Sequence, residues 1–347
     1  MDERLIIVVP GFASGEKEEC LKRLTEGLDR FATLQGSFLR PLVSPGTGNQ
    51  KSYEYERSNG NKSSIHFREI YWSDLTPPLS EKNPIKKFLI GCSILIFWLS
   101  SRRVFNVAWL NRYMFASSAF SILVLLFWYY GAVVAALSVI GTTDEAKIFF
   151  SILPEFVKNL LQGLEPKLAD WPVWIIASAI MAFIPVNLIV DVAHSTMRYF
   201  RNDDDLARKL QARIAKAIND AKGNNFTGIV VFAHSFGAVA AAEALATSDS
   251  NLPIHLVTTG SPLAISCARS PDLQKAVKDV LKNPSIIRWS DFYSNDDWMC
   301  CAPPIKGNFQ NFETTKLEFQ TGFFQKFTGK SHLTYFNCNV IYQHLIE

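Results

Sequence analysis

The chain has 347 residues, of which 48% are hydrophobic and only 19% are charged, and its mean hydropathy is +0.08. This composition is too apolar for a disordered linker, and the charged fraction lies below the roughly 25% of ordinary soluble domains. The formal net charge is +3 and no long run of Lys and Arg is present, which excludes a nucleic-acid surface that follows phosphates. The sequence therefore carries more apolar surface than one soluble core of ordinary composition hides.

The first 84 residues carry three element signals. Leu5–Val9 is an apolar run that follows an acidic N-terminus, and it is too short for the apolar core of a signal peptide. Glu16–Phe31 has helical periodicity, and Ser64–Trp72 has a strand pattern. We therefore expect residues 1–84 to form the first part of a folded domain, with no cleaved signal.

Two long uncharged runs follow within residues 85–200. They give candidate membrane spans at about 117–140 and about 171–191, and at about 1.5 Å per residue each is long enough to cross a hydrocarbon core roughly 30 Å thick. A shorter apolar segment at about 87–101 is bracketed by pairs of basic residues, which favours a helix lying in the membrane interface. Residues 85–200 are therefore predicted to form a helical membrane insertion.

The number of crossings and their orientation follow from the flanks. Because both flanks are expected to build one sheet, the number of crossings is even. Two crossings are expected, and four remain the alternative if 87–101 and the amphipathic segment Ile148–Leu164 also cross. The connection between the two spans holds five acidic residues, three Lys and no Arg, whereas Arg is frequent on the outer flanks. The positive-inside rule then predicts an integral membrane protein whose globular domain faces the cytoplasm.

After residue 200 the strand and helix signals alternate. The predicted elements are a helix at Asp203–Lys222, strands at Thr227–Ala233, Ile254–Thr259 and Ile286–Tyr293, helices at Gly237–Ala246 and Pro271–Leu281, and a last helix after Ser331. Strands separated by helices predict an α/β fold with a mostly parallel sheet flanked by helices. Residues 201–347 are therefore expected to complete the domain that residues 1–84 begin.

The segment Ala233-His-Ser-Phe-Gly237 has the pattern of a strand, a tight turn and a helix. The small residues Ala233 and Gly237 let the strand and the helix approach closely, while the turn holds the hydroxyl of Ser235 above the sheet edge. The N-terminus of the following helix adds a favourable dipole for a developing oxyanion. This pattern is typical of a serine nucleophile.

The motif resembles the α/β-hydrolase superfamily and specifically its lipase-like members, which use Gly-x-Ser-x-Gly where this chain has Ala233. The resemblance implies that Ser235 is the nucleophile and that the backbone N–H of Phe236 is one oxyanion donor. Val9-Pro10-Gly11-Phe12 stands where lipases carry a His-Gly turn, which implies Phe12 as the second donor. Thr258–Leu263 resembles the Gly-Ser-Pro landmark that follows the elbow helix.

The same resemblance supplies an acid and a base. In lipases a strand with an aromatic end leads into a loop that carries the acid, and a later Ser-His-x-x-Tyr carries the base. This implies Asp297 as the acid, with Asp296 as the adjacent alternative and Asp291 within the strand, and His332 as the base. The order serine, acid, histidine is that of α/β-hydrolases. His234 is expected to point away from the site.

Together these expectations describe a membrane-anchored serine hydrolase, lipase-like or esterase-like, that cleaves carboxylic esters of lipids through a Ser-His-Asp triad and an acyl-enzyme. Its expected partners are an acyl-ester lipid and the bilayer, with no nucleic acid, no cofactor and no metal. The six cysteines lack the spacing of a zinc site and are expected to be reduced thiols. Both ends of the insertion are expected to emerge beside Ser235, with 87–101 as a lid or entry ramp.

Three alternatives stay open at this point. A catalytically inactive hydrolase fold would serve as a membrane scaffold, a secreted or injected lipase effector would use the spans to enter a target membrane, and a thioesterase or small-ester esterase would prefer other substrates. The head group, the acyl length and the oligomeric state are not predicted by the sequence.

Overall fold

The computed structural model of the protein describes residues 2–12, 17–42, 50–77, 79, 84–104, 186–297, 300–322, 325 and 330–346, together with isolated positions between 106 and 155. The chain divides into two compact units. The first comprises Met1–Pro77, Arg103–Met114 and Arg198–Glu347, and the second comprises Pro78–Arg102 and Phe115–Met197.

The strands, numbered in chain order, are β1 Asp2–Val9, β2 Phe38–Leu42, β3 Gln50–Glu56, β4 Lys62–Glu69, β5 Gly228–His234, β6 Ile254–Thr259, β7 Ile286–Tyr293 and β8 Phe312–Lys316. The α-helices are α1 Glu19–Leu34, α2 Pro84–Leu99, α3 Val186–Arg201, α4 Leu206–Ala221, α5 Gly237–Ala246, α6 Leu263–Arg269, α7 Pro271–Lys282 and α8 Asn339–Ile346. Short 3-10 helices lie at Ser73–Leu75, Asp203–Asp205 and Lys330–Asn337.

The strands of the first unit form one eight-stranded sheet in the order β2-β3-β4-β1-β5-β6-β7-β8. The β2–β3 and β3–β4 pairs are antiparallel, and all other neighbours are parallel. The predicted α/β fold with a mostly parallel sheet flanked by helices is therefore confirmed. The register places Val9 beside Ala233 and His234 beside Thr259, so the carboxyl ends of the central strands meet at one edge of the sheet.

Alternation along the strands divides the core between the two faces of the sheet. In β1, Ile7 and Val9 enter a core with α4, α5 and α7, whereas Ile6 and Val8 enter a core with α1 and α8. All four side chains are fully buried, and each such side chain stabilises the fold by roughly 1.5–3 kcal/mol. The two cores hold the sheet as a rigid platform for the loops at its edge.

Strand β4 ends earlier than the sequence predicted. The strand was expected to reach Trp72, but it ends at Glu69. The indole of Trp72 is buried and donates its N–H to the carbonyl oxygen of Pro10 at 3.0 Å. Trp72 therefore packs under the turn that follows β1.

The second unit contains helix α2, which occupies the segment predicted as an interfacial helix at 87–101. The predicted spans at about 117–140 and 171–191, and the segment Ile148–Leu164, lie largely outside the described residues. Within the part of the chain that the structure describes, no helix is both long enough and apolar enough to cross a bilayer. The interfacial placement of α2 and the number of crossings stay predictions.

Candidate active site

Ser235 occupies the tight turn between β5 and α5. Its φ is +56°, a left-handed conformation that costs a residue with a side chain about 1–2 kcal/mol. Its N–H donates to the carbonyl oxygen of Thr259 at 2.9 Å, and its carbonyl accepts from the N–H of Ala238 at 3.0 Å. Ser235 is partly exposed, although the residues on both sides are buried. The strained turn thus holds the hydroxyl group of Ser235 at the end of a buried strand.

Two glycines allow the close approach of backbone around this turn. A Cβ atom on Gly237 would lie 2.1 Å from the carbonyl oxygen of Val9, so α5 begins directly against the end of β1. A Cβ atom on Gly11 would lie 2.6 Å from Cβ and 3.0 Å from Oγ of Ser235. The turn after β1 therefore lies against the serine, beside the start of α5.

The two predicted oxyanion residues come together at this turn. The rings of Phe12 and Phe236 are 4.3 Å apart between centroids. Phe236 is buried and stands at the N-terminus of α5, where backbone N–H groups and the helix dipole favour negative charge. The structure thus brings the side chains of Phe12, which follows Gly11, and Phe236, which follows Ser235, into contact.

Asp297 and His332 form a buried pair. His332 Nδ1 lies 2.7 Å from Asp297 Oδ2, and the two residues are only 4% and 1% exposed. Asp297 follows β7 in a turn in which its N–H donates to the carbonyl oxygen of Ser294. The adjacent Asp296 donates its own N–H to Ser294 Oγ at 3.2 Å. The carboxylate that meets the imidazole is therefore that of Asp297.

The other ring nitrogen of His332 is available for chemistry. Its Nε2 is buried and has no hydrogen-bond partner among the described residues. Such an orphaned nitrogen costs about 1–3 kcal/mol, a cost that is expected of a general base whose hydrogen bonds tighten only when substrate is bound. With Nδ1 engaged by Asp297, Nε2 is the atom that can accept a proton.

Gly260 makes room for the ring of His332. Its φ is +58°, and a Cβ atom there would lie 3.0 Å from His332 Cε1 and 2.8 Å from Tyr335 Cε2. The resemblance marks Thr258–Leu263 only as a landmark and does not predict the packing of Gly260 against the histidine. Because Thr259 binds the N–H of Ser235, one dipeptide at the end of β6 contacts both the serine turn and the histidine.

Tyr335 ties the acid loop to the histidine loop. Its buried hydroxyl accepts a hydrogen bond from the N–H of Ser294 at 3.0 Å and lies 2.9 Å from Cys300 Sγ. Burial, and then the neighbouring Cys300 and Asp297, raise the pKa of this hydroxyl well above its usual range. The Tyr of the Ser-His-x-x-Tyr motif thus has a structural reason to stand three residues after His332.

The sequence predicts that His234 points away from the site, but in the structure its side chain points toward His332. Its ring lies 4.7 Å from the ring of His332 between centroids. Successive residues of a strand face opposite sides of the sheet, and Ala233 enters the core of α4 and α5. His234 therefore faces the other side, where the 3-10 helix Lys330–Asn337 carries His332.

An aromatic cluster lies around Phe236 within the first unit. The rings of Tyr199 and Phe200 lie 5.0 and 6.1 Å from the ring of Phe236, and that of Trp72 lies 6.4 Å from it. Arg198 Nη1 donates to the carbonyl oxygen of Leu75 at 3.2 Å. These contacts join the segment after β4 and the end of α3 to the serine turn.

Asp291, the acid within β7, is buried away from solvent and accepts hydrogen bonds from the hydroxyls of Thr258 and Thr314 at 2.6 and 3.2 Å. Burial raises the pKa of its carboxyl to about 7. The folded state therefore binds a proton more tightly than the unfolded state, whose Asp pKa is about 3.9. The free energy of unfolding consequently falls as the pH rises between these two pKa values.

We expect the Asp291→Asn variant, which carries no charge, to gain stability relative to the wild type as the pH rises from 5 to 8. The gain should reach a few kcal/mol at neutral pH, since one pKa unit corresponds to about 1.4 kcal/mol. Thermal unfolding of both proteins across this range measures it. If the difference between the unfolding midpoints of the two proteins stays constant with pH, the elevated pKa of Asp291 is contradicted.

The arrangement as a whole offers a partly exposed hydroxyl, a buried imidazole with one unused nitrogen, and a carboxylate that fixes the other nitrogen. The described residues contain no group of three His, Cys, Asp or Glu side chains that could hold a metal ion.

Comparison of the chain with protein-family models, with curated proteins and with solved structures finds no match.

Proposed function

We propose that the protein is a membrane-anchored serine hydrolase of the α/β-hydrolase superfamily that cleaves carboxylic esters of lipids. The observation that carries the proposal is the buried Asp297–His332 pair, whose imidazole contacts the same end of β6 that holds the left-handed Ser235. Serine at positive φ between a parallel strand and a helix is what a nucleophile elbow requires.

In the proposed mechanism His332 Nε2 takes the proton of the Ser235 hydroxyl as its oxygen attacks the ester carbonyl. Asp297 keeps the imidazole in the tautomer that leaves Nε2 unprotonated, and it stabilises the imidazolium that forms. His332 then delivers the proton to the leaving alcohol, which leaves an acyl group on Ser235. Water, activated by the same nitrogen, releases the acid and restores the serine.

The negative charge of the tetrahedral intermediate falls on the former carbonyl oxygen. The backbone N–H groups of Phe236 and Phe12 are the proposed donors to this oxygen, and α5 adds the positive end of its dipole. Removing one such donor in a serine hydrolase costs about 100- to 1,000-fold in kcat. The close packing of Gly11 against Ser235 supports Phe12, the next residue, as the second donor to this oxygen.

Support for a lipid substrate comes from helix α2. Leu89, Ile96 and Leu99 are 47%, 65% and 41% exposed and share one side of the helix, because each residue advances by about 100°. Ile94 and Phe97 are buried on the opposite side. A helix of 16 residues is about 24 Å long, shorter than a hydrocarbon core, so the apolar stripe Leu89, Ile96 and Leu99 suits the membrane interface.

Basic residues flank this apolar stripe. Lys86 and the pair Arg102-Arg103 are exposed at its two ends, where they can reach lipid head groups while the stripe enters the acyl region. Together with the Arg-poor connection between the two candidate spans, this arrangement supports an integral membrane protein with its hydrolase domain on the cytoplasmic side. An ester that partitions into the bilayer is then the substrate that meets the site.

The test uses the purified protein in mixed micelles with a phospholipid, a long-chain acylglycerol and a short-chain soluble ester. We expect hydrolysis of the long-chain lipids and its loss after treatment with a fluorophosphonate, with mass spectrometry locating the adduct on Ser235. The treated protein is the matched control for ester hydrolysis that does not depend on the serine.

Two results contradict the proposal. A strong preference for the short-chain ester would identify a small-ester esterase and remove the lipid substrate. An absence of both hydrolysis and adduct would leave an inactive hydrolase fold that serves as a membrane scaffold.

A further inference from the structure

The imidazole of His332 lies in a slot with two fixed walls. One wall is the backbone of Gly260, whose added Cβ would come within 3.0 Å of Cε1. The other wall is the ring of His234, at 4.7 Å between centroids and with an angle of 37° between the ring planes. Asp297 binds Nδ1 at one end of the slot, so the position of the ring depends on all three residues.

The ring of His234 is itself anchored. Its Nδ1 lies 3.1 Å from Thr259 Oγ1, and both side chains are buried. The ring of Phe336 meets it edge to face at 4.9 Å. Because one ring nitrogen is hydrogen-bonded and the ring is enclosed, His234 presents a face of fixed orientation to His332.

The charge of His234 suits a neighbour of the proposed base. Burial, and then the proximity of His332, lower the pKa of His234 well below its usual range. His234 therefore stays neutral near physiological pH. A neutral ring beside His332 adds no repulsion when the imidazolium forms during the reaction.

From this packing we propose that His234 is a positioning residue of the hydrolase, whose ring holds the His332 imidazole in the plane that directs Nε2 to the Ser235 hydroxyl. The inference rests on the proposed function, since it assigns a role within the same site. His234 contacts the base and not the reacting atoms, so its removal should lower kcat without raising KM. Displacement of a catalytic group by about 1 Å can cost about 100-fold in rate.

The test compares three substitutions in the full-length protein. We expect His234→Ala to lower kcat about 10- to 100-fold with KM unchanged, because the slot loses one wall. His234→Phe keeps a ring of similar shape but loses the hydrogen bond to Thr259, so its kcat should lie between that of the wild type and that of His234→Ala. Thr259→Val keeps the histidine ring and removes the same hydrogen bond, so its kcat should fall in the same range, and it tests the same claim if the alanine variant does not fold.

His255→Ala is the matched control. His255 is a histidine of the neighbouring strand β6 that hydrogen-bonds Ser290 Oγ at 2.9 Å and has no part in the proposed chemistry. Its removal should leave kcat unchanged. The rate at which a fluorophosphonate labels Ser235 should follow kcat across the series, because labelling needs the same proton transfer.

The outcomes separate this inference from the proposed function. If the wild type neither hydrolyses lipid esters nor takes the label, both fall together. If the wild type is active and His234→Ala keeps its kcat, or raises KM instead, the positioning role is wrong and the hydrolase proposal stands. A His234→Phe variant as slow as His234→Ala would also overturn it, since the ring wall would then not be what matters.

Discussion

Replacing Ser235 with alanine is expected to lower kcat for lipid-ester hydrolysis by about a millionfold, and replacing Asp297 with asparagine by about ten-thousandfold. In the proposed mechanism the serine supplies the attacking oxygen, so no other group replaces it. Asparagine keeps the shape of Asp297 but presents either an amide donor or a neutral oxygen to His332 Nδ1, which favours the wrong tautomer or stabilises the imidazolium poorly. Initial rates in mixed micelles measure both effects.

The chain offers a matched control for the acid. Asp296→Asn changes the neighbouring carboxylate, which is not the one that meets His332, and it should leave kcat within a few-fold of the wild type. The double variant Ser235→Ala, Asp297→Asn should be no slower than Ser235→Ala alone, because residues that act as one unit are not additive. An Asp296→Asn variant that is as impaired as Asp297→Asn would contradict the assignment.

The elbow was predictable because its signals are local. A run of buried β-branched residues, two small residues around a serine, and an alanine-rich helix all lie within 20 residues of the chain. Their local preferences agree with the fold, so β5 and α5 appear where the sequence predicted them. The same holds for β6 and β7, whose buried centres leave few alternatives.

The strands at the two edges of the sheet, β2 and β8, and the neighbouring strand β3 were not predictable in the same way. Strand β2 contains Pro41, and most of its residues are exposed. Strand β8 has the same length, and most of its residues are polar. Strand β3 is only partly buried along most of its length. These strands are stabilised by pairing with a neighbour more than by burial of their own side chains, and pairing leaves little trace in a single sequence.

The position of His234 in the fold shows a second limit of prediction from the sequence. Alternation along β5 predicts that His234 and Ala233 face opposite sides of the sheet. It does not predict which distant segment covers each side, and the 3-10 helix with His332 lies almost 100 residues further along the chain. The sequence therefore points separately to His332 as the proposed base and to His234 as the residue before the proposed nucleophile, and only the fold shows that their rings are in contact.

Neither of the two glycines at the elbow has room for a side chain. Gly11→Ala would bring a methyl group to 2.6 Å from Cβ of Ser235, an atom whose position is set by the backbone of the serine turn. We expect the turn after β1 to shift, with a loss of kcat of about 100-fold or more, because the proposed nucleophile and the proposed donor Phe12 move apart. Initial rates in mixed micelles measure the loss, and a Gly11→Ala variant with the kcat of the wild type would contradict the close packing of the two turns.

Gly237→Ala is expected to have the largest effect on stability. Its methyl group would lie 2.1 Å from the carbonyl oxygen of Val9 and 2.8 Å from that of Pro10, and these backbone atoms at the end of a central strand cannot turn away. The start of α5 must move from the sheet, at a cost of about 3 kcal/mol or more and about 10 °C in Tm. Thermal unfolding measures it, with Gly223→Ala as the control, since an added Cβ on Gly223 meets nothing within 4 Å. A Gly237→Ala protein as stable as that control would mean that α5 does not press against β1, and the proposed elbow would lose its structural basis.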